Sequence, residues 1–477
     1  MNGSNVLIIA RLFLHYFVRK SLSVGILRNR FARIVLGAGS LLGILLLGAV
    51  ATAVFQEMIP GRRELVLVLH VSSVTVVFWT FIVFLFIKIL FMKSDSLIRY
   101  TLVLPVSHRE RSAALALYEL VMVAGSIGAL FLPISIASFV RLGLEAAPSL
   151  LSGIGMTAVS AYLVLSVAHN MIARTVEALG AARLVHVVTL SLVAGATLWY
   201  NGASMGLIQA MAGDYLAGKV AFRVVNLFPY LHETAGWLAA GSAFLALSAV
   251  LVILAMVSSP ATFPIHRRFV KVPVPFSSLG LWPTAAALVR RSEWWIAVAV
   301  TYICAAMLWL GGGAAFVFAG VILVSQGIYV YAAVNPLRQM PGYRRSPGSE
   351  VGHMLLGQTI VAVVHAVPIA VFSILRPEAL DSLRFMAIGL VSGAILTTLI
   401  AIVFVAENDS PLVVFAGYAI CIAVLVSLAA MVGVLRLPSH WLWFGAACAH
   451  ALAVVYSVVG MKHIMRSKRH EARLTRG

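Results

Sequence analysis

Residues 237–258 read WLAAGSAFLALSAVLVILAMVS and contain no charged side chain. A transmembrane helix needs about 20 predominantly apolar residues to cross the hydrocarbon core of a bilayer. This stretch is long enough and apolar enough to cross a membrane as one helix. It decides the class of fold, because similar stretches recur along the chain.

The composition of the 477-residue chain agrees with this interpretation. The chain is 61% apolar and 11% charged, with a mean hydropathy of +1.01, whereas soluble domains are about half apolar and a quarter charged. We predict an all-α polytopic membrane protein with about 12 transmembrane helices, arranged as two six-helix halves. Besides 237–258, the predicted spans are 34–56, 65–92, 113–140, 149–172, 184–204, 294–310, 314–335, 353–375, 384–406, 411–434 and 441–461.

The same pattern divides the chain into segments, and the two sets of spans suggest an internal duplication. A proline-rich polar stretch separates the two sets and is predicted to be a linker. The predicted segments are an amphipathic N-terminal helix at 1–33, a first six-span half at 34–258, a cytoplasmic linker at 259–293, a second six-span half at 294–461 and a basic cytoplasmic tail at 462–477.

The net charge of the chain is +19, and its meaning depends on where the basic residues lie relative to the membrane. With the predicted spans, most Lys and Arg residues fall on the same side as both termini. Cytoplasmic loops of membrane proteins carry such an excess, so we predict cytoplasmic termini and a multi-pass location in the bacterial cytoplasmic (inner) membrane. We attribute the charge to orientation and to attraction for anionic lipids rather than to nucleic-acid binding.

The first 30 residues are too charged to span a bilayer, but apolar side chains recur there at helical spacing. Arg11, His15 and Arg19 follow one another at intervals of four and therefore share one face of a helix. This pattern predicts an interfacial helix on the cytoplasmic membrane surface, with membrane lipids as its partner.

Ionisable residues within the predicted spans bear on the mode of transport. Of the 16 acidic residues, Glu119 alone lies well inside a predicted span. Ion-coupled transporters usually hold such groups near the bilayer midplane, so ion-coupled secondary transport is disfavoured, although His169 could in principle relay protons. Lys88 lies near the end of its predicted span and is expected to extend to the membrane surface.

Motifs for enzymatic chemistry are weak in this sequence. The segment 213–219 begins like a phosphate-binding loop, but Val220 stands where magnesium binding requires Ser or Thr. The three cysteines lie in apolar runs, without the paired spacing of a zinc site. We predict no catalytic residue, no metal site and no cofactor bound by this chain. An ion-coupled transporter and a membrane-embedded enzyme or assembly factor remain as alternatives.

Residues 104–110 read LPVSHRE. This segment resembles the Leu-Pro-(Val/Ile)-Ser-x-Arg-Glu element that links the second and third spans in permease subunits of type-2 ATP-binding-cassette (ABC) exporters. The amphipathic N-terminal helix and the six-span half are also similar to that family. In the second half, residues 340–345 read MPGYRR, so that an apolar-Pro-x-x-x-Arg pattern recurs, with Pro341 and Arg345 in the places of Pro105 and Arg109.

The resemblance implies a transport component rather than an enzyme. Such a permease docks separate cytoplasmic ATPase subunits, two per complex, which bind the ATP and Mg²⁺, and it exports a lipophilic or amphipathic substrate. The arginines of these loops could instead serve orientation in the membrane alone. The residues implied in docking and coupling are Leu104, Pro105, Ser107, Arg109, Glu110, Arg111, Pro341, Arg344 and Arg345.

Overall fold

The computed structural model describes residues 3–22, 30–58, 62–91, 101, 104–219, 221–259, 282–311, 314–338, 340, 345–403 and 439–474. These residues are almost entirely helical, and none of the elements they form is a β-strand. The structure therefore confirms the predicted all-α class.

Among the described residues, 8 helical stretches are long and apolar enough to cross a membrane. The chain is therefore a polytopic helical membrane protein. These stretches are Leu67–Lys88, His108–Ala178, Trp237–Ser258, Ser292–Leu310, Ala314–Arg338, Pro347–Ser373, Pro377–Val403 and Trp443–Arg466. The longest of them covers two predicted spans, which the positive φ of Gly143 (59°) separates.

Three of the twelve predicted spans are not accounted for by these stretches. The spans at 34–56 and 184–204 lie on helices that are not among the eight. The span at 411–434 lies outside the described residues. The number of twelve therefore stays a prediction.

The chain divides into two compact units, Met1–Ile265 and His266–Gly477, and the division falls within the predicted linker at 259–293. A π-helix at Leu151–Met156 leads into α6 of the first unit. The α-helices of the first unit are α1 (Gly3–Leu22), α2 (Arg30–Met58), α3 (Arg62–Phe91), α4 (His108–Leu142), α5 (Ala146–Leu150), α6 (Thr157–Ala178), α7 (Val185–Leu216), α8 (Leu227–Ala235) and α9 (Trp237–Ser258).

The core of the first unit lies between α3, α4 and α6. The rings of Phe84 and Tyr162 are 6.1 Å apart and both are buried, as is Ile127 of α4. Helix α1 belongs to the same unit, because its Phe13 packs edge-on against Tyr118 of α4 with 5.9 Å between ring centroids. The amphipathic helix is therefore attached to α4 by its apolar face.

The second unit is built around a 3₁₀-helix at Ala314–Tyr329, which α11, α13 and α14 surround. A 3₁₀-helix rises about 2.0 Å per residue, so these 16 residues extend about 32 Å, enough to cross the roughly 30 Å hydrocarbon core. The α-helices of this unit are α10 (Trp282–Val289), α11 (Ser292–Leu310), α12 (Val330–Arg338), α13 (Pro347–Ser373), α14 (Leu380–Val403) and α15 (Ser439–Leu474).

Two glycines let the 3₁₀-helix and α14 approach closely. A Cβ atom at Gly389 would lie 2.8 Å from Cγ2 of Val321, and one at Gly393 would overlap Val324. Small residues at four-residue spacing are typical of close helix contacts in membranes. Gly389 and Gly393 therefore form the surface of α14 on which the 3₁₀-helix packs.

Candidate functional site

The segment that resembles the exporter loop forms a tight turn followed by the start of α4. The N–H of Val106 donates to the carbonyl oxygen of Leu104 at 2.8 Å. Ser107 and Glu110 then form a capping box: the N–H of Ser107 donates to Oε2 of Glu110 at 3.0 Å, and the N–H of Glu110 donates to Oγ of Ser107 at 3.3 Å. This pairing satisfies two backbone donors at the helix start, and it fixes the turn relative to α4.

The capping box separates the predicted docking residues into two groups. Leu104, Pro105 and Arg109 are exposed. Glu110 is 7% exposed and Arg111 8% exposed, and Nη2 of Arg111 donates to the carbonyl oxygen of Thr101 at 3.0 Å. The first three residues are accessible to a partner, whereas Glu110 and Arg111 support the local structure.

The corresponding segment of the second unit differs in its position relative to the helix start. Pro341 and Arg344 lie outside the described residues, and Arg345 is partly buried. Arg345 directly precedes Ser346, the N-cap of α13, whose Oγ accepts from the N–H of Ser349 at 3.2 Å. In the first unit, by contrast, Arg109 follows its N-cap Ser107 by two residues.

Sequence reasoning missed an ion pair beside this second segment. Nε of Arg338, at the end of α12, donates to Oε1 of Glu350 in α13 at 2.9 Å. The guanidinium of Arg338 also lies 3.9 Å from the ring centroid of Tyr331. Glu350 is fully buried, so this pair joins α12 to the start of α13. The predicted span began at residue 353, three residues after Glu350, whereas the helix itself begins at Pro347 and includes this carboxylate in its first turn.

The predicted interfacial helix presents its basic face to the surroundings. Arg11, His15 and Arg19 are all exposed, and Nδ1 of His15 lies 3.0 Å from the carbonyl oxygen of Arg11. Exposed apolar side chains, Leu7 and Ile8 at 63% each, adjoin them on α1. A helix that exposes both cationic and apolar side chains suits the boundary between lipid headgroups and acyl chains.

Glu119 is the centre of a buried polar cluster in the first unit. Both of its carboxylate oxygens lie 2.8 Å from Nζ of Lys88 on α3, and Oε2 lies 3.1 Å from the hydroxyl of Tyr162 on α6. Glu119 is 2% exposed. Lys88 thus pairs with Glu119, in place of the predicted extension to the membrane surface.

His169 lies near this cluster but is not bonded to it. Its ring packs edge-on against Phe84, with 5.9 Å between centroids. Its Nδ1 is buried and has no hydrogen-bond partner within the described part of the chain. The structure therefore does not connect His169 to Glu119 by hydrogen bonds.

No protein-family model, curated protein or solved structure matches this chain. Within the described ranges, no group of three or more His, Cys, Asp or Glu side chains could hold a metal ion. The described residues form a helical membrane protein with an accessible turn at the start of α4 and an ion pair between Lys88 and Glu119 inside the first unit.

Proposed function

We propose that this chain is the membrane permease of an ATP-driven ABC exporter. The observation that supports this most is the exposed turn at 104–109, which carries the exporter-like sequence and is held at the start of a long helix by a capping box. Separate cytoplasmic ATPase subunits, two per complex, dock on this turn and bind the ATP and Mg²⁺. The cargo is lipophilic or amphipathic.

The proposal includes the finer topology. The chain crosses the bacterial cytoplasmic membrane twelve times in two six-span halves, with both termini and the docking turn on the cytoplasmic side. The basic residues of the loops support this orientation. In the second half, the segment 341–345 serves as the second docking region.

The turn at 104–109 is joined to two helices that pack on each other. Helix α4 continues from the capped turn for 35 residues, to Leu142. Helix α1 is packed on it through Phe13 and Tyr118. A displacement of the turn by an ATPase therefore moves α4 and α1 together, which couples the ATPase motion to the membrane-embedded helices.

An ion-coupled secondary transporter is the second candidate, because a carboxylate is buried within the apolar stretches. The pairing of Glu119 with Lys88 weakens this candidate, since an incoming proton or sodium ion would have to displace the ammonium group from both carboxylate oxygens. Substrate accumulation that collapses with an uncoupler but survives inhibition of the ATPase would favour the second candidate over the exporter.

Reversal of the charge at Arg109 tests the docking role. We expect Arg109→Glu to weaken the association with a co-purifying ATPase by about tenfold, because an interface charge would become repulsive. Pull-down of the full chain from its native membrane, followed by measurement of ATPase activity in the eluate, gives the result.

Lys219→Glu is the matched control for this experiment, because Lys219 is exposed and lies on the predicted outer side. It should leave the ATPase bound. A wild-type chain that brings down no ATPase, or an Arg109→Glu chain that retains it like the control, would refute the proposed function.

A further inference from the structure

The second unit contains a cavity of about 590 Å³ between α11, the 3₁₀-helix and α13. This volume lies in the range of small-molecule sites, about 300–1,000 Å³. The cavity is lined by Tyr302, Ala305, Ala306, Trp309, Leu310, Phe316, Pro368, Ile369 and Phe372. It is formed by the C-terminal part of α11, the beginning of the 3₁₀-helix and the last turns of α13.

The wall of this cavity offers almost no hydrogen bond to a ligand. Its one phenol, Tyr302, already donates from its hydroxyl to the carbonyl oxygen of His365 at 2.8 Å. The other lining side chains are aliphatic or aromatic. Among them, the indole N–H of Trp309 is the one further donor, and its Nε1 is buried without a hydrogen-bond partner in the described part of the chain. A polar ligand with several hydrogen-bonding groups would lose most of its hydration here without replacement, so the interior favours a hydrocarbon.

The mouth of the cavity opens on an apolar surface. Leu310 is 76% exposed and Phe372 is 55% exposed, and both belong to helices that are apolar enough to cross a membrane. The exposed edge of the cavity is therefore apolar, which suits a hydrocarbon chain better than a polar ligand.

A positively charged side chain, that of Arg376, lies beside this opening. The guanidinium carbon of Arg376 lies 5.0 Å from the ring centroid of Trp309, a lining residue. Of the carboxylates that the structure describes, none forms an ion pair with Arg376. The acids that follow it in sequence, Glu378 and Asp381, are exposed. The cavity thus combines a hydrocarbon-like interior with one positive charge at its edge.

We propose that this cavity binds the acyl chain of a single-chain anionic amphiphile, whose carboxylate or phosphate head pairs with Arg376. A guanidinium recognises both head groups by charge-assisted hydrogen bonds, and the aromatic wall contacts the chain. That such an amphiphile is the exported cargo rests on the proposed permease function; its binding to the cavity does not.

The test uses dibromostearate, whose bromine atoms quench nearby tryptophan, and the purified full chain in lipid nanodiscs without an ATPase. We expect saturable quenching that Trp309→Phe largely removes. Palmitate should displace dibromostearate at a concentration about tenfold lower than hexadecanol requires, because only palmitate forms the charge-assisted contact. Arg376→Gln should abolish this preference.

Arg384→Gln is the matched control, since the guanidinium of Arg384 also lies over an aromatic ring in this unit, that of Phe385 at 4.9 Å, but this ring, unlike that of Trp309, does not line the cavity. It should keep the preference for palmitate. Ala305→Phe, which fills the cavity, should remove saturable quenching. Equal displacement by palmitate and hexadecanol, or the same effect from both arginine variants, would overturn the inference, whether or not an ATPase co-purifies with the chain.

Discussion

Glu119 is buried and Lys88 is partly buried, and each lies next to an opposite charge, which makes both residues tolerable inside an apolar unit. The side chains are 3% and 16% exposed. Removal of one partner from a buried pair typically costs about 3–5 kcal/mol, whereas replacement of both is often neutral. We expect Glu119→Gln to lower the free energy of unfolding by about 3 kcal/mol, and Glu119→Gln with Lys88→Met to restore most of it. Thermal unfolding in detergent measures both.

An exposed carboxylate provides the control for this prediction. Glu378→Gln should leave the unfolding temperature unchanged, because Glu378 is exposed and forms no ion pair with the residues that the structure describes. If Glu119→Gln also left it unchanged, the ion pair would contribute nothing to the stability of the first unit.

The same pair shows what the sequence could and could not predict at the scale of single residues. The position of Glu119 in an apolar run marked it as an intramembrane acid. Its partner lies 31 residues away, and their contact depends on how α3 and α4 are rotated about their axes. Hydropathy places a helix in the membrane but does not fix this rotation, so the sequence suggested an isolated Glu119.

At the scale of elements, the span at 314–335 was predicted correctly as a helix long and apolar enough to cross a membrane, but its type of helix was not predicted. An almost continuous apolar run such as AAFVFAGVILVS has no polar face from which a period of 3.0 or 3.6 could be read. The capping box, by contrast, has a local sequence signature, Ser-x-x-Glu, because capping is decided by residues within one turn.

The glycines of α14 give a prediction at the same scale. Gly389→Ala would bring its methyl group to 2.8 Å from Cγ2 of Val321, and overpacking of this kind costs about 1–3 kcal/mol. The unfolding temperature should fall, and Val321→Ala in the same chain should restore it by removing the obstructing methyl groups.

Gly352→Ala on α13 is the control, because no atom in the described part of the chain lies within 4 Å of its added methyl group. Alanine favours a helix over glycine by up to about 1 kcal/mol, so this variant should be neutral or more stable. Equal losses from Gly389→Ala and Gly352→Ala would show that the close approach of α14 and the 3₁₀-helix is not the cause.

At the scale of the whole molecule, the sequence predicts on which side of the membrane each loop lies, because the membrane constrains topology strongly. Each crossing exchanges the side on which the chain continues, so the sides of a few positions determine whether the number of spans between them is odd or even. Four predicted spans separate Lys219 from Glu378. Three separate Glu378 from His463, and one of these is 411–434.

Cysteine labelling at these three positions tests whether the number of spans between them is even or odd as predicted. Single cysteines replace Lys219, Glu378 or His463 in a chain whose natural cysteines are changed to serine. A membrane-impermeant maleimide should label Lys219→Cys and Glu378→Cys in intact cells. It should label His463→Cys only after the cells are permeabilised, because the basic segments stay cytoplasmic. Labelling of His463→Cys in intact cells would mean that 411–434 does not cross the membrane, and it would leave eleven spans with the basic tail outside.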